Sequence, residues 1–231
     1  MPKLLLTKTT SSRSSMKKIS FLKAYPPGKV NYLFEILTAI ILSLSTVASA
    51  WSVYQSGSWY KVEKDLLFKS AQFRVESIRS SSAAMQFKAI DVSMFLEFAQ
   101  AVSQDNTRLS DFIYQRFRPG MRTAVDAWMA LDPLVNPNAP AAPFYMEEYV
   151  LAEEIAAEDY LVRAEEKTSE AELAADNSNT YSKLTVLFAA TLFFAGISTK
   201  FESTRIRLVL LIFGSITILS GLVVIITSPI K

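Results

Sequence analysis

The sequence predicts an all-α membrane protein with three transmembrane helices and a long helical stalk, or hairpin, as its extramembrane domain. Three observations lead to this fold class. Apolar runs long enough to cross a hydrocarbon core of about 30 Å occur once near the start of the chain and twice near its end. Charged residues are concentrated between the first and second runs. Apolar residues in that region recur every three or four positions, which is typical of helices.

The apolar runs set the domain boundaries. We predict transmembrane helices at residues 31–54, 181–198 and 208–228. The charged region, residues 55–180, then forms one helical extramembrane domain, and residues 199–207 form a short loop between the last two spans. The domain has the length of one ordinary globular unit.

Basic residues predict the orientation. Residues 1–30 carry seven Lys and Arg side chains and no acid, and the loop at 199–207 carries three bases and one acid. The positive-inside rule makes both segments cytoplasmic, so the N terminus is cytoplasmic and the large domain extracytoplasmic. We expect residues 1–30 to be a disordered tail that acts as a topology signal or binds anionic lipid headgroups.

The start of the chain leaves two processing alternatives open. Ala48-Ser49-Ala50 matches a signal-peptidase site, although the tail before the apolar run is long for a signal peptide. The helical pattern also continues past that site. A start rich in serine and free of acids is also compatible with an organelle transit peptide.

The helix after the first span is predicted to bury one apolar face inside the domain. Ten positions follow a strict alternation of three and four residues, and nine are apolar, as in a coiled coil. They are Phe68, Ala71, Val75, Ile78, Ser82, Met85, Ala89, Val92, Leu96 and Ala99. A second stripe joins it, formed by Phe87, Ile90, Met94, Phe98 and Val102. We expect Val92 and Leu96 to be fully buried where the two stripes meet.

Two further helical regions are predicted. Residues 108–131 form a helix that Pro119-Gly120 must break or kink, and residues 132–143 form a proline-rich loop. A third helix begins near Tyr145 and continues into the second span without a loop, as the first span does into the helix that follows it. Small residues dominate its predicted packing face: Ala157, Leu161, Ala164, Thr168, Ala171 and Ala175.

Charge is unevenly distributed in the domain. Residues 55–180 carry 20 acids and 12 bases, and residues 147–176 alone carry 11 acids and two bases. We expect no nucleic-acid partner, because nucleic-acid binding needs a basic face. Adjacent acids such as Glu147 and Glu148 are compatible with a divalent cation, but a solvated face is the stronger interpretation. The arginines of the domain, Arg108, Arg116, Arg118 and Arg122, either bind an anion or, as we expect, pair with the acidic helix.

The sequence lacks the residues that several kinds of catalytic or binding site require. The chain contains no cysteine and no histidine, so neither thiolate nor imidazole is available as ligand, nucleophile or base. The domain has only two glycines, Gly57 and Gly120, and no glycine-rich phosphate loop. The spans carry no ionisable residue at mid-membrane, which disfavours a proton-coupled transporter. We therefore predict no enzymatic activity, no catalytic residue, no cofactor and no metal site.

Five short motifs occur along the chain: Ala50-Trp51-Ser52-Val53-Tyr54-Gln55, Phe117-Arg118-Pro119, Asn136-Pro137-Asn138-Ala139-Pro140, Pro143-Phe144-Tyr145-Met146-Glu147-Glu148-Tyr149 and Phe194-Ala195-Gly196-Ile197-Ser198. In this order, over roughly residues 45–228, they resemble an uncharacterised family of bacterial membrane proteins with three spans and a helical domain between the first two. The resemblance implies a bacterial inner-membrane protein of this architecture. It implies no activity, cofactor or catalytic residue.

These features favour a membrane-anchored helical scaffold or interaction protein. Its expected partners are membrane lipids, further copies of itself and an extracytoplasmic protein. We expect the copies to associate through small residues in the spans, where helix backbones approach closely. Ser45 and Ser49, Thr191 and Ala195, and Gly214 and Gly221 form such faces, and the glycine face is the favoured one.

The alternative is a subunit of an oligomeric channel or mechanosensitive pore, and an extracytoplasmic enzyme ranks third. A pore requires a polar stripe along one span. Five hydroxyl residues of the first span are the candidates for such a stripe, and they serve helix packing equally well. They are Thr38, Ser43, Ser45, Thr46 and Ser49.

Overall fold

The computed structural model describes residues 27–133 and 135–231, and these residues confirm the predicted fold class. They are almost wholly helical and include no β-strand. The helices are α1 (Pro27–Ser103), α2 (Thr107–Tyr114), α3 (Pro119–Met129), α4 (Ala152–Ser198) and α5 (Thr204–Thr227), with a short 3-10 turn at Pro143–Tyr145. Helices α1, α4 and α5 are long and apolar enough to cross a membrane.

Helices α1 and α4 each continue without a break from an apolar span into the charged domain, as predicted. The 77 residues of α1 make it about 115 Å long at 1.5 Å per residue. Residues 1–26 of the predicted disordered tail lie outside the described residues. Residues 27–30 are already helical, so this helix starts earlier than the sequence predicted.

The part of α1 beyond its span packs antiparallel against the corresponding part of α4, and together they form the stalk. Near the membrane end, the Ser56 hydroxyl donates to the carbonyl oxygen of Ser178 at 3.1 Å. Further along, the rings of Phe73 and Tyr160 stack with centroids 6.3 Å apart. Ala164 is fully buried between the helices, as the predicted small-residue face requires.

A cap of short helices follows the end of α1. The chain reverses at Asp105, whose φ of 53° lies in the left-handed region that aspartate tolerates better than most residues. The Asn106 side chain then caps α2 by accepting from the N–H of Leu109 at 3.2 Å. Pro119 occupies the first turn of α3, which confirms the predicted break in this region.

The tip, formed by residues 104–151 and the last turns of α1, has an aromatic core. Phe95 of α1 meets Trp128 and Phe144 edge-on, with ring centroids 5.3 and 5.5 Å away. The Trp128 indole N–H donates to the carbonyl oxygen of Pro140 at 2.6 Å, which fixes the proline-rich loop to α3. The buried residues of this core are Phe95, Phe98, Ile113, Phe117, Met121 and Val125.

The third predicted helix begins later than the sequence indicated. It starts at Ala152, and residues 146–151, between the 3-10 turn and α4, are not helical. Met146 and Leu151 both have extended backbone angles. This segment crosses the start of α3 so closely that a Cβ on Gly120 would lie 2.7 Å from the carbonyl oxygen of Val150. Packing against Gly120 therefore takes the place of the first helical turns that were predicted after Tyr145.

Candidate interaction surface

The face of α1 that contacts α4 is built from small and polar residues. Ser70, Ser77, Ala84 and Asp91 follow one another at intervals of seven residues along it. The Ser70 hydroxyl donates to the carbonyl oxygen of Ala164 at 2.9 Å, and the Ser77 hydroxyl to that of Ala157 at 2.8 Å. Alanines on α4 let the backbones approach closely enough for these bonds. We call this face the internal seam.

The apolar face predicted to be buried is instead exposed. It consists of the ten residues from Phe68 to Ala99 named above, and we call it the α1 stripe. Its large members Phe68, Val75, Ile78, Met85 and Leu96 are between 56% and 69% exposed. Val92 is only partly buried, so the expectation that Val92 and Leu96 are fully buried is wrong.

The helical repeat explains the error. Each stripe residue from Phe68 to Val92 lies one position after or two positions before a residue of the internal seam, as Ile78 and Val75 do beside Ser77. One residue turns an α-helix by about 100°, so the stripe faces largely away from α4. Two faces of α1 thus repeat every seven residues, and α4 packs on the less apolar one.

The tip covers only part of the second predicted stripe. Phe98 is buried in the tip core, and Met94 and Val102 pack against it. Phe87 is half-buried, with the Arg118 guanidinium 4.6 Å from its ring centroid, whereas Ile90 stays exposed. The predicted meeting of two stripes therefore occurs only at the top of the stalk.

The two stalk helices carry opposite charge. Residues 66–90 of α1 contain four bases and one acid, whereas residues 152–176 of α4 contain nine acids and two bases. Arg74, Arg79 and Lys88 are exposed beside the α1 stripe. On the far side of α4 the exposed apolar residues Ile155 and Val162 stand seven residues apart among acids. The stalk therefore has a basic apolar side and an acidic side.

One buried charged group joins the tip to the stalk. Asp91 on α1 is fully buried, and its carboxylate accepts two bonds from the Arg118 guanidinium, at 2.6 and 3.3 Å. The Tyr149 hydroxyl donates to the same carboxylate at 3.0 Å. A Glu153 oxygen lies 3.9 Å from Arg118. This cluster connects α1, the turn before α3, the extended segment and the start of α4.

Hydrogen bonding and burial shift two pKa values in this cluster. The bond to Asp91 raises the pKa of Arg118 above its usual value, so the guanidinium stays charged. Burial, followed by the bond to Asp91, raises the pKa of Tyr149 well above its usual range. Tyr149 therefore remains a neutral donor to the carboxylate. Neither Asp91 nor Tyr149 was predicted as a site residue, and the only pattern that marks Asp91 is its seven-residue spacing from Ala84.

The arginines of the domain were expected to pair with the acidic helix α4, and only Arg118 does so among those described below. Arg118 contacts Glu153 of α4, but Arg116 stacks on the ring of Phe112 at 3.4 Å and donates to the Phe112 carbonyl. Arg122 donates to the carbonyl of Gln115. The arginines thus mainly order the tip itself. The residues in the described ranges include no group of three or more acids placed to hold a metal ion.

The favoured glycine face packs inside the protomer. A Cβ on Gly221 would lie 2.7 Å from the ring of Phe188, and one on Gly214 would lie 3.9 Å from Thr191. The Thr191 and Thr217 hydroxyls also bond across α4 and α5 at 2.8 Å. Within the protomer this face packs against α4. Self-association through the spans stays a prediction.

The hydroxyl residues of the first span divide between two sides. Thr38 and Ser45 are buried in the protomer, while Ser43 and Thr46 are exposed. The Thr46 hydroxyl donates to the carbonyl of Leu42 on its own helix at 2.8 Å. The polar stripe that a pore would need is thus split between helix packing and the outer surface.

A polar clamp fixes residues 229–231 beside the first span. The Gln55 side chain donates to the carbonyl of Lys231 and accepts from its N–H, both at 2.8 Å. The Trp59 indole and the Tyr181 hydroxyl both donate to the carbonyl of Pro229 at 3.1 Å. The clamp joins α1, α4 and the end of α5 where the spans meet the stalk.

Comparison with protein-family models, curated proteins and solved structures gave no significant match. The bacterial family suggested by the motifs stays a prediction.

Proposed function

We propose that the chain is a membrane-anchored interaction scaffold. Three apolar helices anchor it, and the stalk holds the tip away from the bilayer. The observation that carries this proposal is the unbroken passage of α1 and α4 from their spans to the tip. From residue 55 to residue 103, α1 rises about 73 Å, so the tip is held far from the lipid surface.

The proposed location is a bacterial inner membrane with the tip on the extracytoplasmic side. The basic loop between α4 and α5 supports this orientation through the positive-inside rule. A cysteine introduced at the exposed Gln104 should react with a membrane-impermeant maleimide in intact cells with a permeabilised outer membrane. A cysteine at the exposed Ser203 should react only after lysis. The reverse pattern would overturn the orientation.

The tip is the proposed contact for an extracytoplasmic protein. Its interior is filled by aromatic packing, yet large apolar side chains also remain on its surface. Phe112, Val135, Tyr145 and Val150 are each more than half exposed. We propose that a protein partner covers these side chains, because burying large apolar groups favours association. Arg116 stacked on Phe112 adds the arginine and aromatic pairing that is enriched at such interfaces.

Site-specific photocrosslinking in living cells tests this contact. A photoreactive amino acid replaces Tyr145 or Phe112, and the matched control replaces Thr123, which is exposed on α3. We expect Tyr145 and Phe112 to give a discrete crosslinked product that is missing at Thr123. Equal products at all three positions, or none at any, would contradict the tip as a binding surface.

A further inference from the structure

We propose that the α1 stripe binds the acidic outer face of α4 from a second copy of this chain. This second copy would be a partner of the proposed scaffold. The proposed function enters the argument at one point only, because it places all copies in the same membrane. The stripe lies on the stalk, separate from the tip surface described above.

The repeat of the stripe indicates a helical occupant. The stripe runs about 47 Å, from Phe68 to Ala99, with an average spacing near 3.5 residues. A straight α-helix has 3.6 residues per turn, so a face kept at 3.5 follows a partner helix that winds around it. A globular partner would contact only a few positions of α1, so ten positions with one regular spacing are not explained by such a partner. The occupant is therefore a helix that lies along the stalk.

The stalk of a second copy offers such a helix at a fixed height. Along the internal seam, Ser56, Ser70 and Ser77 of α1 bond to Ser178, Ala164 and Ala157 of α4. Moving a given number of residues toward the C terminus of α1 thus corresponds to moving the same number toward the N terminus of α4. Because all copies share one membrane, the same correspondence relates α1 of one copy to α4 of its neighbour.

The apolar residues of the two faces meet in this register. Val162 of the neighbour lies level with Gln72, between Ala71 and Val75 of the stripe. Ile155 lies level with Arg79, beside Ile78. Both α4 residues are more than half exposed on the side facing away from their own α1. Each therefore fits between successive stripe residues, as side chains do in paired helices.

The charges of the two faces are complementary in the same register. Arg74 lies level with Tyr160, next to Asp159, which also pairs with Arg163 of its own helix at 2.8 Å. Arg79, which also pairs with Glu76 of its own helix at 3.0 Å, lies level with Ile155, next to Glu154. Pairing the stripe with α1 of another copy would instead bring Arg74, Arg79 and Lys88 close to their own counterparts. Like charges at a helix interface disfavour that arrangement. Charge thus selects α4, and not α1, as the partner helix.

The two surfaces differ, so the contact is heterologous. Each copy uses its stripe toward one neighbour and its α4 face toward another. Such contacts generate rings or open arrays of protomers that stand side by side in the membrane.

Cysteine crosslinking between two tagged copies tests the proposal in native membranes, because the chain has no cysteine of its own. One full-length copy carries Val75→Cys and the other Val162→Cys, and a short bismaleimide joins thiols in contact. We expect the mixed dimer as the main product. The control replaces Val75→Cys with Lys69→Cys, which is exposed outside the stripe and should give background only. Adding Ile78→Asp to the Val75→Cys copy should abolish the mixed product, without lowering the thermal unfolding temperature of the purified monomer, in which Ile78 is exposed.

Two results would overturn the inference. Same-site Val75→Cys dimers equal to or above the mixed dimer would assign the stripe to α1 of the neighbour. No product above the Lys69→Cys background would show that no copy covers the stripe. Neither result affects the photocrosslinks expected at Tyr145 and Phe112 of the tip. If those photocrosslinks are absent while the cysteine crosslinks form, the proposed function is overturned and the contact between copies is not.

Discussion

The Ser70 hydroxyl lies 2.9 Å from the carbonyl oxygen of Ala164, and this contact shows how the stalk is held together. The Ser70 hydroxyl also lies 2.9 Å from the Thr168 hydroxyl, so it contacts two residues in one turn of α4. Close backbone approach and side-chain hydrogen bonds thus replace a thick apolar core. Stability of the stalk therefore depends on small side chains at the internal seam.

Enlarging the seam should separate the stalk helices. Ala164 is fully buried, so Ala164→Leu should destabilise the protein by about 1–3 kcal/mol or more through overpacking. Ala152→Leu, on an exposed position of the same helix, is the matched control. Leu96→Ala should cost no more than about 0.5 kcal/mol in the monomer, because Leu96 is exposed. Thermal unfolding of the purified monomer measures all three, and a larger shift for Leu96→Ala than for Ala164→Leu would contradict the assignment.

The two members of the buried ion pair should respond unequally to substitution. Arg118→Met leaves the fully buried Asp91 carboxylate without its cation and should cost on the order of 3–5 kcal/mol. Asp91→Asn removes the charge and leaves Arg118, which is about one-third exposed, free to be hydrated. We expect that change to cost about 1–3 kcal/mol. Denaturant unfolding monitored by tip tryptophan fluorescence compares them, and the opposite order would show that Asp91 is hydrated in solution.

High pH should weaken the attachment of the tip through Tyr149. Its folded-state pKa is raised by burial and by the bond to Asp91, so the folded protein keeps a proton that the unfolded chain releases. This contribution is fully present below the usual tyrosine pKa of about 10 and is lost as the pH rises toward the folded value. Tyr149→Phe should flatten the fall in unfolding temperature above about pH 10. Parallel curves for the two proteins would contradict this role.

The glycines of the last two spans should differ in their tolerance of alanine. Gly221→Ala places a Cβ 2.7 Å from the fully buried ring of Phe188, so it should lower the unfolding temperature. A Cβ on Gly196 would have no neighbour within 4 Å, so Gly196→Ala should be neutral or stabilising by about 0.5–1 kcal/mol. If Gly221→Ala changed the oligomer mass without destabilising the protomer, the glycine face would lie between copies after all.

Hydropathy and proline were enough to predict the spans, the break at Pro119 and the absence of loops at the membrane boundaries. These are local properties, since a span depends on its own length and apolarity, and proline acts on its own turn. The start of α4 was missed because it depends on how Val150 passes over Gly120, a contact between distant residues.

The sequence could not say which face of α1 meets α4. The apolar repeat correctly predicted a helix with a binding face, but several neighbours compete for such a face. The internal seam looks polar in the sequence, because Ser70 and Ser77 pack only where α4 carbonyls accept their hydroxyl protons. The partner of Asp91 lies 27 residues away in the chain, so its burial could not be read from local pattern.

The height of the tip above the membrane depends on α1 remaining one helix from its span to the tip. Spin labels on cysteines at the exposed Tyr60 and Ser103 test it directly, after dilution with unlabelled protein to suppress distances between copies. A continuous helix places these positions about 65 Å apart, and electron–electron resonance in lipid nanodiscs should give one narrow distribution near that value. A broad distribution, or a distance shorter by 15 Å or roughly ten residues of helical rise, would show that α1 bends or breaks and would contradict the account.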